Sequence, residues 1–313
     1  MLTINELRAI ISSGMDLNKK MELLNKIDFY DDYLIKLAQR FEEKIDFERY
    51  YLSYSGGKDS HFLYWFIKEI LQDNKIKIVG INTFMEHHEI RERIMKNSDV
   101  ILIPELKPFE IKSKYGSPCF SKQQDDFIDR YQKGSRSPST MQRIMGVNKD
   151  GGPTMYKISN KAKELLLSGK LHRVSPKCCT YLKKKPAHKF EKETGLKPIL
   201  GIRGGESISR KTKYQACLNK KGTFTPLWDC TDDIINEIYK RYNIEIPEVY
   251  NHILRTGCMG CPYGSYKHDT EKELKLINEN QRKFVCEYFK ESYKVLGIDI
   301  EQIEKEINDE QSS

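Results

Sequence analysis

No stretch of this 313-residue chain comes near the ~20 consecutive apolar residues that a membrane span needs. The leading MLTINELRAIISSGM has no basic start, and Glu6 and Arg8 break its short apolar run, which speaks against an export signal. No internal repeat is found, so a solenoid is excluded. A disulfide framework is not expected from the eight cysteines, because a reducing compartment keeps thiols free for metals or chemistry. These absences leave a soluble, unexported, cytoplasmic protein as the expectation. The length allows one large domain with additions or two modest ones.

The formal charge of +8 is unevenly spread. From Lys183 to Lys221 there are twelve Lys or Arg against three Glu, a net of +9 that exceeds the balance of the whole chain. Such a strip suits a polyanion, either a nucleotide or a nucleic-acid backbone. A solvated helix and loop face is the competing reading for most of these lysines.

Apolar residues at three- and four-residue steps predict a helical N-terminal layer over 1–45. Tyr50 to Tyr54 reads as a strand, 60–71 as a helix, KIKIVGINTF (75–84) as a strand, EIRERIMKN as a helix and DVILIP (99–104) as a strand. That alternation predicts right-handed crossovers and an α/β fold, a parallel twisted sheet with helices on both faces. Between 105 and 175 the pattern weakens, and GSRSPST and NKDGGPT read as turns, so this stretch is an insertion without an assigned role. A basic helix over about 181–193, a strand at KPILGIR (197–203), a helix at DDIINEIYKRYN (232–243) and a charged helical tail from about Lys272 complete the chain. The expected division is a helical extension (1–45), an α/β nucleotide-binding domain (46–210) and a mainly helical C-terminal region (211–313).

Ser55-Gly56-Gly57-Lys58-Asp59-Ser60 stands between the first strand and the helix after it. Glycines let the backbone approach a ligand, and the helix N-terminus adds unpaired N–H groups, a combination that binds phosphate. The spacing fits neither the G-x-x-x-x-G-K-[ST] loop nor a dinucleotide fingerprint. A plain turn with Asp59 and Ser60 as caps is the alternative. The segment resembles the SGGxDS signature of the PP-loop ATP pyrophosphatases, whose fold is adenine nucleotide alpha hydrolase-like. That resemblance implies that ATP is bound by its outer phosphates while an acceptor oxygen attacks the α-phosphate. It places Ser55, Gly56, Gly57 and Ser60 around pyrophosphate, Lys58 at the variable position and Asp59 near Mg²⁺.

Cys178 and Cys179 are adjacent, and Cys258-Met259-Gly260-Cys261 follows 79 residues later. A vicinal pair does not easily place both thiolates on one zinc, whereas the irons of a [4Fe-4S] cube lie far enough apart for neighbouring residues to reach different ones. The cysteine pattern is similar to that of the iron–sulfur branch of the phosphoadenosine phosphosulfate (PAPS) and adenylyl-sulfate reductase-like proteins. GIRGGESISR (201–210) and TPLWDCTDDIINEIYKRYNIEIP (225–247) resemble the same family, which extends the likeness over 48–264. It implies Cys178, Cys179, Cys258 and Cys261 as cluster ligands, Arg203 and Arg210 beside the nucleotide or its leaving anion, Glu206 as an orienting group and Thr83 near adenosine. Asn82 stands where the reductases carry an Asp. Arg is suited to such an anion by its planar fork. Cys119, Cys217, Cys230 and Cys286 read as core thiols, with Cys217 and Cys230 near enough in sequence to the basic strip to relay sulfur. His87 and His88 read as a solvated loop pair.

Two departures separate the family's activities. The chain ends EQIEKEINDEQSS, without the tail cysteine that attacks sulfate in the phosphosulfate reductases, and its glycine loop is intact as in enzymes that split ATP between α and β. The expectation is an ATP-dependent iron–sulfur sulfurtransferase that adenylates and thiolates a nucleic-acid or nucleotide acceptor. A tRNA or DNA would bind through 183–221, and a sulfur donor protein is a further expected partner. The alternatives are a PAPS or adenylyl-sulfate reductase and a nucleotide-binding sensor or subunit without turnover.

Overall fold

The computed structural model describes residues 1–12, 16–204, 216–253, 256–264 and 270–312. Four strands form a single parallel sheet in the order β3-β2-β1-β4: β1 (Tyr50–Tyr54), β2 (Lys77–Ile81), β3 (Val100–Leu102) and β4 (Lys197–Ile199). Leu52 pairs with Ile78 on one side and Ile199 on the other, so β1 is central, and Tyr51, Leu52 and Tyr54 are buried. A central parallel strand is covered on both faces, which is why it reads as a continuous apolar run. The α/β class expected from the sequence is the one observed, with strands shorter than their apolar runs.

The chain divides into two compact units, neither continuous in sequence. The first comprises Met1–Ile81, Ile90–Leu102 and Ala187–Pro247, and holds the whole sheet. Its helices are α1 (Ile4–Ile11), α2 (Leu17–Leu24), α3 (Phe29–Lys44), α4 (Lys58–Trp65), most of α5 (His88–Asn97), most of α11 (Lys185–Thr194) and α12 (Asp232–Arg241). α4 runs on into a π-helical turn over Phe66–Ile70. α1 opens on a capping box from Thr3 and Glu6, and α3 on one from Asp28 and Asp31, the sequence signals expected of helix starts. Gly80 of β2 is packed so tightly that an added Cβ would lie 2.5 Å from Ile94 and Ser98, which seats α5 directly on the strand.

His61 makes this unit sensitive to acid. It is buried, and its Nδ1 lies 2.9 Å from the Tyr54 hydroxyl, which also accepts from Asn97 Nδ2 at 3.1 Å. With Asn97 donating to it, the tyrosine hydroxyl has its own proton available for Nδ1 of a neutral imidazole. Burial, with Arg93 adding to it, pushes the imidazole down to about 3. Between the ordinary histidine value and about 3 the unfolded chain binds the extra proton, so this stability is present above ~6.5 and is lost as pH falls, by about 1.4 kcal/mol per unit crossed. Denaturant titrations from pH 7 to 4 are expected to show a steeper stability loss for the wild type than for His61→Gln; parallel curves would contradict this.

The second unit comprises Asn82–Glu89, Ile103–Pro186 and Glu248–Ser313. It holds α6 (Pro108–Tyr115), α7 (Lys122–Gln132), α8 (Pro138–Met145), α9 (Asn160–Leu167), α10 (Lys177–Cys179), α13 (Thr270–Leu276), α14 (Glu279–Leu296) and α15 (Ile300–Ser312). A π-helical turn, Thr180–Lys184, joins α10 to α11 (Lys185–Thr194). The supposed turn GSRSPST is a helix start: the Ser137 hydroxyl accepts from Thr140 N and Pro138 occupies the first turn of α8. His87 is likewise no solvated residue. It is 3% exposed, and its Nε2 lies 2.8 Å from buried Glu273. No described helix is long and apolar enough to cross a membrane.

Candidate functional site

The sheet order turns back between β1 and β4. In open parallel sheets that switch point opens a crevice at the carboxyl ends of the two strands, where ligands bind. Both segments leaving it there belong to the first unit: Ser55–Gly57 after β1 and Leu200–Gly204 after β4. Gly56 has φ +70°, and an added Cβ would sit 2.8 Å from the Ile90 carbonyl oxygen. Gly201 comes equally close, 2.9 Å from the Asp59 carbonyl carbon. Only glycine satisfies both approaches, so the two segments are pressed against neighbouring backbone.

Gly57 is the N-cap of α4 and supplies no side-chain cap. The first-turn N–H groups of that helix therefore lack an intrahelical acceptor and carry the positive end of the helix dipole. The loop is held in shape by its serines. Ser60 Oγ accepts from Ser55 N at 3.2 Å, donates to the Gly57 carbonyl at 3.0 Å and lies 3.0 Å from Ser55 Oγ. Ser60 thus braces the turn, while the N-cap position is taken by Gly57.

Arg203 faces the loop from the segment after β4. Its Nε donates to Asp59 Oδ1 at 2.9 Å and its Nη1 to Asp232 Oδ1 at 2.7 Å, with 11% of the side chain exposed. Burial would lower the guanidinium's pKa, but the two carboxylates outweigh it and the pKa is raised. Lys58 bonds Asn236 Oδ1 and lies 5.4 Å from the centre of the Tyr239 ring, whose hydroxyl donates to the Lys58 carbonyl at 2.6 Å. Burial lowers the Lys58 pKa. The sequence reading named Lys58, Asp59 and Arg203, and the structure brings them together. It missed Asp232, Asn236 and Tyr239, which recur at i, i+4 and i+7 on α12 and so share one helix face. The sequence reading took DDIINEIYKRYN only as a helix, because nothing local in it points to a partner far away in the chain.

Cys230 is buried beside this group, within electrostatic reach of Arg203 and Asp59, and burial pushes its thiol up to about 11. A protonated buried thiol fits the core role expected of it. Thr83 belongs to the second unit, where its hydroxyl bonds Glu86 and its N–H reaches Glu86 Oε2 at 3.1 Å. Glu206 and Arg210 lie outside the described residues.

The second unit gathers Cys178, Cys179, Cys258 and Cys261, all free thiols, against an apolar cluster that includes Leu182, Met259, Tyr288 and Tyr293. The turn carrying the later pair is pinned by Met259 N donating to the Met85 carbonyl at 2.7 Å. The thiols interact with one another: the Cys178 pKa is raised by its bond with Cys179 and by burial, while the same bond and Lys122, Lys183 and Lys184 pull Cys179 down. Burial raises Cys258 and Cys261. Lys183 sits among them, and Cys258, followed by Glu86 and Cys179, raises its ammonium against the opposing effect of burial. Sequence reading had counted Lys183 only as part of a basic strip. Among the described residues no group of three or more His, Cys, Asp or Glu side chains is gathered so as to hold a metal ion. What the fold assembles is a set of four interacting thiols with a cation among them.

No family model and no curated protein matches the chain. Among solved structures it is similar to a phosphoadenylyl-sulfate (PAPS) reductase from Candida auris in a phosphate complex, at 11% identity and a TM-score of 0.40, over 77% of this chain and 93% of that one. At that level the likeness carries no inference about substrate or chemistry.

Proposed function

We propose that the protein is an ATP-dependent sulfurtransferase of the PAPS reductase-like, PP-loop type. It would cleave ATP between the α- and β-phosphates, adenylate an oxygen of a nucleic-acid or nucleotide acceptor, and replace that oxygen with sulfur. The observation that carries this reading is the Ser55–Ser60 loop, braced by its own serines and running into the N-terminus of α4 at the switch point of the sheet.

In this reading the loop N–H groups hold the β- and γ-phosphates, and Asp59 places Mg²⁺ on them. Arg203, fixed by Asp59 and Asp232, directs its guanidinium at the α-phosphate, where charge builds during in-line attack. The acceptor oxygen forms the new bond to phosphorus as pyrophosphate leaves. An incoming sulfur then displaces AMP, which carries the oxygen away. Cys178, Cys179, Cys258 and Cys261 would hold a [4Fe-4S] cluster, which when bound supplies the sulfur chemistry. Lys183 would offset the negative charge of four thiolates.

Anaerobically purified protein is expected to be brown, with about four irons and matching acid-labile sulfide, and to place sulfur on a tRNA or DNA acceptor in an ATP-dependent way. Sulfite release from adenylyl sulfate or PAPS with a thiol donor selects the reductase instead. Tight ATP binding without turnover in the presence of every acceptor selects the sensor.

A further inference from the structure

The insertion, which carries no part of the phosphate loop or the cysteine set, presents a surface of its own. From Lys122 to Lys163 it contains nine Lys or Arg and four Asp. Two of the aspartates are taken up by Arg130 and Lys133, and Asp125 is buried, accepting from Cys119 N and Phe120 N. Arg143, by contrast, meets no carboxylate among the described residues. Its guanidinium lies 5.4 Å from the centre of the Phe127 ring and 4.8 Å from that of Tyr156, and its Nη1 donates to the Tyr156 carbonyl at 2.8 Å. Arg130 lies 5.3 Å from the centre of the Phe127 ring. Guanidinium groups and rings thus meet in succession, Arg130 with Phe127, Phe127 with Arg143 and Arg143 with Tyr156.

A cavity of about 160 Å³ opens beside this series, bordered by Gln123, Gln124, Phe127, Arg143, Tyr156 and Lys157. Tyr156 is 62% and Met155 90% exposed at its edge, although both are large and apolar. Beneath it Ile128, Ile144, Ile158, Ala162 and Val174 form a separate apolar core, so the surface stands on a packed scaffold. A core that buries its isoleucines while leaving a tyrosine and a methionine over an arginine-lined hollow is shaped for a flat partner with negative charge.

We propose that this insertion docks single-stranded nucleic acid, with one base stacked against Tyr156 and Arg143 and the flanking phosphates met by Lys157 and Lys163. The proposal rests on the nucleic-acid acceptor reading above and adds to the basic strip 183–221 a second, separate contact on the chain. An acidic protein would satisfy the charge, but it would not need the open ring and the hollow. Gln123 provides an amide group at the rim for a base edge, and Gln124, whose Oε1 accepts from Ser159 N at 2.7 Å, adds its amide NH2.

Fluorescence anisotropy of the full chain with a labelled single strand of about 15 nucleotides, as RNA and as DNA and without ATP, tests this. The wild type is expected to bind single strand in preference to duplex. Arg143→Ala and Tyr156→Ala are each expected to bind about tenfold more weakly with unchanged far-UV circular dichroism. Tyr156→Phe keeps the ring and should retain the affinity. The proposal is overturned by wild-type affinity in the Arg143 and Tyr156 variants, by absence of single-strand binding, or by polyglutamate of equal charge competing as well as the oligonucleotide. Because no nucleotide is present, these results are separate from whether ATP is cleaved.

Discussion

Arg203→Ala is expected to lower AMP-forming turnover by about 10²–10³-fold at saturating ATP, the range for removing one preorganised donor from a developing negative charge. The expectation comes from how the residue is held. Two carboxylates fix the guanidinium from two elements, Asp59 on α4 and Asp232 on α12, and only 11% of the side chain is exposed. A group held in that way does not reorganise during the reaction. Arg203→Lys keeps a charge but not the fork, so it should recover only a small part of the loss. The decisive feature is that kcat falls more than the KM for ATP rises, since in the proposed function the loop, and not Arg203, holds the phosphate tail. Turnover within threefold of the wild type would remove Arg203 from the reaction.

Gly260→Ala is expected to destabilise the second unit by about 3–5 kcal/mol. Gly260 has φ +55°, and a Cβ there would come 2.3 Å from the Tyr293 hydroxyl and 3.2 Å from Leu274. Tyr293 is fully buried, and its hydroxyl donates to the Gly260 carbonyl at 2.5 Å, so it has no room to withdraw. The same contact explains why a glycine separates Met259 from Cys261: the turn that carries two of the four thiols can close against α14 only without a side chain. Tyr293→Phe alone should cost about 1–2 kcal/mol through the lost bond. Combined with Gly260→Ala it should raise stability above that of Gly260→Ala, because it removes the clashing oxygen and leaves only the strain of alanine at positive φ. Simple additivity in chemical denaturation would contradict this geometry.

The two sites were legible in the sequence to different degrees. The Ser55–Ser60 turn could be read as a strand-to-helix turn because it is local: strand, glycines and helix start lie within a dozen residues. The partners of Lys58 and Arg203 could not be read in the same way, because Asn236 and Asp232 are supplied by a helix far along the chain. The four cysteines were legible as a set through a family likeness, whereas the lysine among them was lost in a count of charges. Helices α6 to α9 went unread for a further reason. Each is only two or three turns long, too short for a clear apolar period, and serine-proline punctuation that starts a helix resembles punctuation that makes a turn. His87 was misread because histidines beside each other suggest solvent, while its partner Glu273 lies in a distant helix.

The most direct test is the position at which ATP is cut. Phosphorus NMR of the anaerobic, iron-loaded protein with ATP, Mg²⁺ and a single-stranded acceptor should show AMP and pyrophosphate appearing together, with neither formed by Arg203→Ala at a comparable rate. ADP and inorganic phosphate as the products, or intact ATP after prolonged incubation with RNA and DNA acceptors, would contradict the reading of this loop as the seat of adenylate transfer.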